Sequence, residues 1–159
     1  MPVYTLQREQ FVAKPIDEVF RYFSDAGNLQ EITPEYLDFE ILTPRPIEMR
    51  PGTLLDYRLK WHGVPLRWRT EILEWLPPHR FVDLQLKGPY KLWRHTHTFR
   101  SENGGTVVGD IVEYELPLGP LGAMAHSLMV GRDVAAIFEF RRKQMARIFS
   151  ADKNKCEGP

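Results

Sequence analysis

The chain has 159 residues, and its 21 lysines and arginines balance 21 aspartates and glutamates, so the formal net charge is zero. That balance excludes the basic footprint of a nucleic-acid binder, and no apolar run approaches the ~20 residues of a membrane span. Hydrophobic residues at 43% and charged residues at 26% describe an ordinary globular chain, long enough to bury a sizeable core. One domain is expected over residues 1–150, followed by a short polar tail over 151–159. Cys156, the single cysteine, lies in that tail and has no partner for an intramolecular disulfide, which fits a reducing, cytoplasmic setting. The start, Met1-Pro2-Val3-Tyr4, lacks the basic-then-apolar pattern of a signal peptide.

Residues 3–12 alternate in polarity and read as a first strand. Lys14-Pro15-Ile16-Asp17-Glu18 opens a helix, with proline in the first turn and two acids at the positive end of the dipole. Its apolar face is Ile16, Val19, Phe20 and Phe23, and Ser24-Asp25-Ala26-Gly27-Asn28 ends it. A second short helix is expected over 29–33, before Pro34.

From residue 36 to 116 the signal is repeatedly strand-like. Strands are expected at 36–43, at 54–61, and at 66–73 after a hairpin turn at His62-Gly63. Residues 81–87 form another, with two parities open. Val82, Leu84 and Leu86 make the more apolar face, whereas Phe81, Asp83 and Gln85 would give a more polar pocket. Next comes Trp93-Arg94-His95-Thr96-His97-Thr98-Phe99, then the hairpin signal Asn103-Gly104-Gly105 and a last strand over 107–116.

The final segment changes period. Leu128, Ala135, Phe138, Met145 and Phe149 recur at helical spacing, and Val134, Ile137 and Ile148 widen the stripe. The cluster Arg141-Arg142-Lys143 reads as a solvated helix end. The expected architecture is α+β: a curved antiparallel sheet of about seven strands wrapped around a long terminal helix, with one or two short helices after the first strand. Such a helix on a twisted sheet leaves room for a cavity.

The histidine strand carries the chemistry. Side chains alternate along a strand, so Trp93, His95, His97 and Phe99 share one face, opposite Arg94, Thr96, Thr98 and Arg100, which suit water. If Asn103-Gly104 is a two-residue turn, His97 faces Asp110, His95 faces Val112 and Trp93 faces Tyr114. A longer loop using Gly104-Gly105 would shift the histidines to Val112 and Tyr114. A contact between His97 and Asp110 is the expectation.

Tyr57, Trp61, Trp68 and Thr70 read as core or cavity lining, with Phe138 facing them from the helix. Zinc sites normally need three protein ligands. His62, His79 and His126 fall in turns or on the terminal helix, and Asp110 is the one donor in reach, so neither metal nor cofactor is expected.

This order of elements, with Pro15-Ile16-Asp17-Glu18-Val19-Phe20, Gly88-Pro89-Tyr90, Trp93-x-His95-x-His97-x-Phe99, Gly104-Gly105-Thr106 with Asp110, Tyr114-x-Leu116-Pro117-x-Gly119 and Ile137-Phe138-x-Phe140-Arg141, resembles the helix-grip superfamily (SRPBCC). That superfamily includes START lipid-transfer domains, polyketide cyclases and birch-pollen-allergen-type proteins. The tryptophan–two-histidine strand looks like that of a bacterial subgroup described as cyclase/dehydrase-like or ligand-binding. The resemblance implies a domain over residues 3–150 that binds a small hydrophobic, aromatic, polyketide-like or lipid-like ligand. Three readings of the histidines stand open: satisfied core residues, ligand-orienting groups, or a general acid/base of a cyclase, aromatase or dehydratase, with His95, His97 and Asp110 as candidates. An accessory or scaffold domain whose large side chains fill the core is a further alternative.

Overall fold

The computed structural model describes residues 2–150, so the expected tail and Cys156 lie outside the described residues. Seven antiparallel strands form one sheet in the order β1-β7-β6-β5-β4-β3-β2. They are β1 (Tyr4–Val12), β2 (Glu40–Ile41), β3 (Leu54–Trp61), β4 (Val64–Leu76), β5 (Arg80–Lys87), β6 (Leu92–Glu102) and β7 (Gly105–Glu115). The first and second strands therefore take the two edges, and the consecutive hairpins β3 to β7 fill the space between them.

Helix α1 (Ile16–Ser24) starts where the sequence places it. The Pro15 carbonyl accepts the N–H groups of Glu18 and Val19 at 3.1 Å each, and Asp17 and Glu18 occupy the first turn. Val19, Phe20 and Phe23 bury its inner face in a core with Phe81, Phe99, Val108, Met145 and Phe149. Residues 26–37 differ from expectation. Two 3₁₀ turns, Ala26–Gln30 and Glu35–Leu37, replace the short helix, and the strand expected over 36–43 shrinks to β2. The Asp25 carboxylate caps the first turn by accepting the Gly27 N–H at 2.8 Å. Asp38 adopts a left-handed backbone (φ 45°), which neither a helix nor a strand can continue.

The β6–β7 hairpin settles the register. Glu102 pairs with Gly105 across a two-residue turn in which Asn103 and Gly104 both have positive φ (50° and 77°), as a type I′ turn demands. His62 and Gly63 make the β3–β4 turn in the same way, with φ of 48° and 78°. On β5, Phe81 pairs with His97 and Asp83 with His95, so the polar parity faces inward. Val82 pairs with Thr96 on the other face, and both are buried, so that face of β6 is not the watery surface its composition suggests.

The terminal helix runs 31 residues as α2 (Pro120–Ala125), a π-helical turn (His126–Val130) and α3 (Gly131–Ser150). Wider winding in the π turn rotates the apolar stripe, so Leu128 is 68% exposed while Val134, Phe138, Met145 and Phe149 stay buried. Among the described residues, no helix is long and apolar enough to cross a membrane.

Candidate functional site

A cavity of about 420 Å³ lies between the concave face of β3–β6 and the terminal helix. Tyr57, Trp61, Trp68, Thr70, Trp93, His95, His97 and Phe138 line it, so the large side chains bound a space instead of filling it. Leu118 and Leu121 also border it and are 77% and 62% exposed, which puts its mouth at the start of α2.

Four candidates from sequence stand elsewhere. Phe99 packs with Phe20 and Val108 in the core, and Val112 and Tyr114 pack against Val130, Val134 and Phe138. Asp110 is buried behind the histidines and is not part of the lining. The reason is geometric: the terminal helix packs on Asp110, Val112 and Tyr114 of β7, α1 covers Phe99 of β6, and the gap opens over the rest of β3–β6. The Tyr114 hydroxyl is 2.8 Å from His126 Nε2, and the Tyr4 ring stacks on the same imidazole at 3.4 Å.

At one end of the apolar lining sits a polar cluster. His97 is stacked between Phe81 (3.9 Å) and His95 (3.7 Å), and Phe138 meets His95 edge-on at 5.4 Å. The carboxylates bind along diagonals. Asp110 Oδ1 accepts the Nε2–H of His95 at 2.7 Å, although Asp110 is the cross-strand partner of His97. Asp83 Oδ2 lies 2.7 Å from His97 Nε2, although Asp83 is the cross-strand partner of His95. The expected His97–Asp110 contact is therefore the longer one, 3.7 Å from Nδ1 to Oδ1. Side chains leaning along their strands bring diagonal neighbours into reach.

Arg141 completes the cluster and departs from the solvated-end reading, which holds for the exposed Arg142 and Lys143. It is 7% exposed, its Nη2 is 3.5 Å from Asp110 Oδ1, and its guanidinium lies over Phe23 (5.3 Å) and Phe138 (5.8 Å). Arg141 Nε and His97 Nδ1 are buried without a hydrogen-bond partner. Leaving such a group unpaired costs about 1–3 kcal/mol, so two in one cluster mark a site kept for something besides stability.

Burial sets the charges. It pushes the Asp83 carboxyl up to about 6, against the pull of His95 and Arg141. Burial, reinforced by the charges of His95 and Arg141, holds His97 well below the ordinary histidine range, so its ring is neutral at pH 7. For Asp110 burial also acts upward, but Arg141 and the hydrogen bond from His95 outweigh it and keep the carboxylate ionised. Burial and the neighbouring Asp83 raise the Tyr57 phenol.

The sequence left Asp83 open between two parities and placed Arg141 on a solvated helix end. The pairing register was the missing signal for the first, and for the second it was the helical phase that sets Arg141 three residues beyond Phe138.

With this geometry in hand, the family model described as "Polyketide cyclase / dehydrase and lipid transport" matches residues 12–140. The chain belongs to that family. The polyketide cyclase/dehydrase and lipid transport fold recurs in a protein from Mycobacterium smegmatis, 17% identical, covering 95% of this chain and 99% of that one at a TM-score of 0.69. It recurs in the major latex-like protein 151 of Panax ginseng, 11% identical, covering 92% and 97% at 0.67. A nucleoside-diphosphate sugar epimerase from Corynebacterium glutamicum is 24% identical over 89% of this chain but only 28% of its own, at 0.63. At these identities the likeness concerns the fold alone. No curated protein matches the chain in sequence.

Proposed function

We propose that this member of the polyketide cyclase/dehydrase and lipid transport family binds a small, largely apolar molecule that carries an oxygen acceptor at one end. The observation that carries this reading is the cavity's asymmetry: a largely aromatic and aliphatic lining carries its ionisable cluster, Asp83, His95, His97 and Arg141, at one end. Ligand pockets commonly combine an apolar wall with a few convergent polar groups that fix orientation. The unpaired Arg141 Nε supplies a donor whose missing acceptor a carbonyl, phenolate or carboxylate oxygen would provide. The exposed leucines at the mouth suit the passage of an apolar molecule.

A matched pair of probes tests it. Naphthalene and naphthaldehyde differ by one carbonyl oxygen, and each is titrated into the protein with tryptophan quenching as readout. Naphthaldehyde should bind roughly 10-fold more tightly, the value of one buried hydrogen bond. Arg141→Met should erase that difference and leave naphthalene binding intact. Failure of both probes to saturate the protein, or equal affinities in the wild type, overturns the reading.

A further inference from the structure

The geometry points to a divalent first-row metal ion held by Asp83, His95 and His97 at the polar end of the cavity. Each of these three residues offers a ligand atom, and those atoms all lie within 4.8 Å of one another. Tautomer logic makes the donors converge. Asp110 accepts the Nε2–H of His95 at 2.7 Å, so in the neutral imidazole the lone pair is on Nδ1, 4.0 Å from Asp83 Oδ2. His97 Nδ1 has no hydrogen-bond partner and lies 3.7 Å from Asp110 Oδ1. Placing the proton there turns the Nε2 lone pair of His97 onto Asp83 Oδ2 at 2.7 Å.

Two nitrogen lone pairs then lie on the Asp83 side of the cluster, running side by side because the two imidazoles stack at 3.7 Å, so gathering them on one ion turns one ring out of the stack. Electron-pair donors so close repel unless a cation sits among them, and only a proton or a metal ion is small enough. Bonds of 2.0–2.1 Å in a tetrahedral site place ligand atoms roughly 3.3 Å apart. The observed 2.7 and 4.0 Å bracket that value, so changes of about 0.6–0.7 Å in each, with one imidazole tilted out of the stack, would complete the set. Two imidazoles with one carboxylate suit zinc, iron, cobalt or manganese.

The surroundings are those of a metal site. Metal-bound histidines usually give their other N–H to a carboxylate, which fixes tautomer and orientation. Asp110 stands in that position for His95 and near it for His97, and Arg141 at 3.5 Å balances its charge. Asp83, His95 and His97 border the cavity, so the remaining coordination positions would open onto it. Metal binding is read with no organic compound present, so this inference and the ligand reading can fail separately.

The full chain, purified without a tag and stripped with a chelator, is titrated with Co²⁺ alone. The expected result is one ion per chain with the visible absorption of a nitrogen/oxygen site, and NMR shifts at His95 and His97 but not at His62 or His79. Asp83→Asn and His97→Gln should abolish that absorption. Asp110→Asn should weaken binding roughly 10–100-fold, the usual effect of losing a carboxylate behind a metal-bound histidine. Cys156→Ser should leave it unchanged. Thermal melting checks that each variant is folded, and the wild-type titration decides the matter even where one is not. Absence of bound Co²⁺ at millimolar concentration, absorption that survives Asp83→Asn, or absorption lost with Cys156→Ser overturns the inference and leaves a shared proton between Asp83 and His97.

Discussion

Asp110 faces His97 across the β6–β7 ladder, yet it is His95, one inward-facing position further along, that donates to its carboxylate at 2.7 Å. The same carboxylate lies 3.5 Å from the buried Arg141. One acid thus ties the middle of the sheet to the terminal helix. Removing only the cation, with Arg141→Met, strands a buried anion and should cost about 3–5 kcal/mol. Pairing it with Asp110→Asn should recover a large part of that loss, because no unpartnered charge remains. Urea unfolding of the two single variants and the double variant measures the coupling. Additive losses would mean that the pair does not interact.

Asp110 also predicts an acid limb in stability. Its carboxylate is held below the ordinary range by Arg141 and His95, against the upward effect of burial. A depressed folded pKa means that the unfolded chain binds the proton more readily. The stabilisation is present above the unfolded value of about 4 and is lost as pH falls through the folded one. Wild-type stability should fall on acidification from pH 5, and Asp110→Asn should flatten that fall. Melting temperatures of both proteins across the acid range provide the check. An unchanged slope in the variant would assign the limb to other carboxylates.

Asp83 should behave with the opposite sign. Burial raises its carboxyl to about 6, so the folded state binds the proton more tightly than the unfolded chain. Its contribution is fully present below pH 4 and is lost as pH rises through about 6. Asp83→Asn removes that loss and keeps a polar group beside His97. The variant should be more stable than the wild type at pH 8, by about 1–3 kcal/mol. Denaturant melts at pH 5 and pH 8 test this, with the larger difference expected at the higher value.

The sequence makes most of the scaffold legible, because the relevant signals are local. Proline and acids start α1, positive-φ pairs at His62-Gly63 and Asn103-Gly104 set both hairpins, and a 3.6-residue period marks the last helix. Register across one hairpin places Asp110 opposite His97 by counting alone. The diagonal hydrogen bonds are not legible in that way, since they depend on how each side chain leans. Asp83 escapes because either parity of β5 buries apolar residues, as the buried Phe81 and Val82 on opposite faces show. Bulges between β4 and β5 break the counting that would have decided it. Arg141 escapes because its neighbours Arg142 and Lys143 are exposed, and only tertiary contacts, with Asp110 and the Phe23 ring, separate it from them.

The last distinction, between wall and core, separates Phe99 from Trp68. Phe99 is 2% exposed and packs edge-on against Phe20 at 5.2 Å, with no surface on the cavity. Phe99→Ala should cost about 3–5 kcal/mol, the usual range for deleting a buried aromatic ring. Trp68 is half-buried, meets Trp93 edge-on at 5.4 Å, and already borders open space. Fewer contacts are lost when it is truncated, so Trp68→Ala should fall at or below the lower end of that range. Affinity for naphthalene should show the reverse order: weakened by Trp68→Ala through lost ring contacts, and unchanged in folded Phe99→Ala. Urea unfolding and probe titration on the same preparations measure both quantities. Loss of affinity in Phe99→Ala at temperatures where it remains folded would mean that the cavity extends beneath β6 and that Phe99 belongs to its lining.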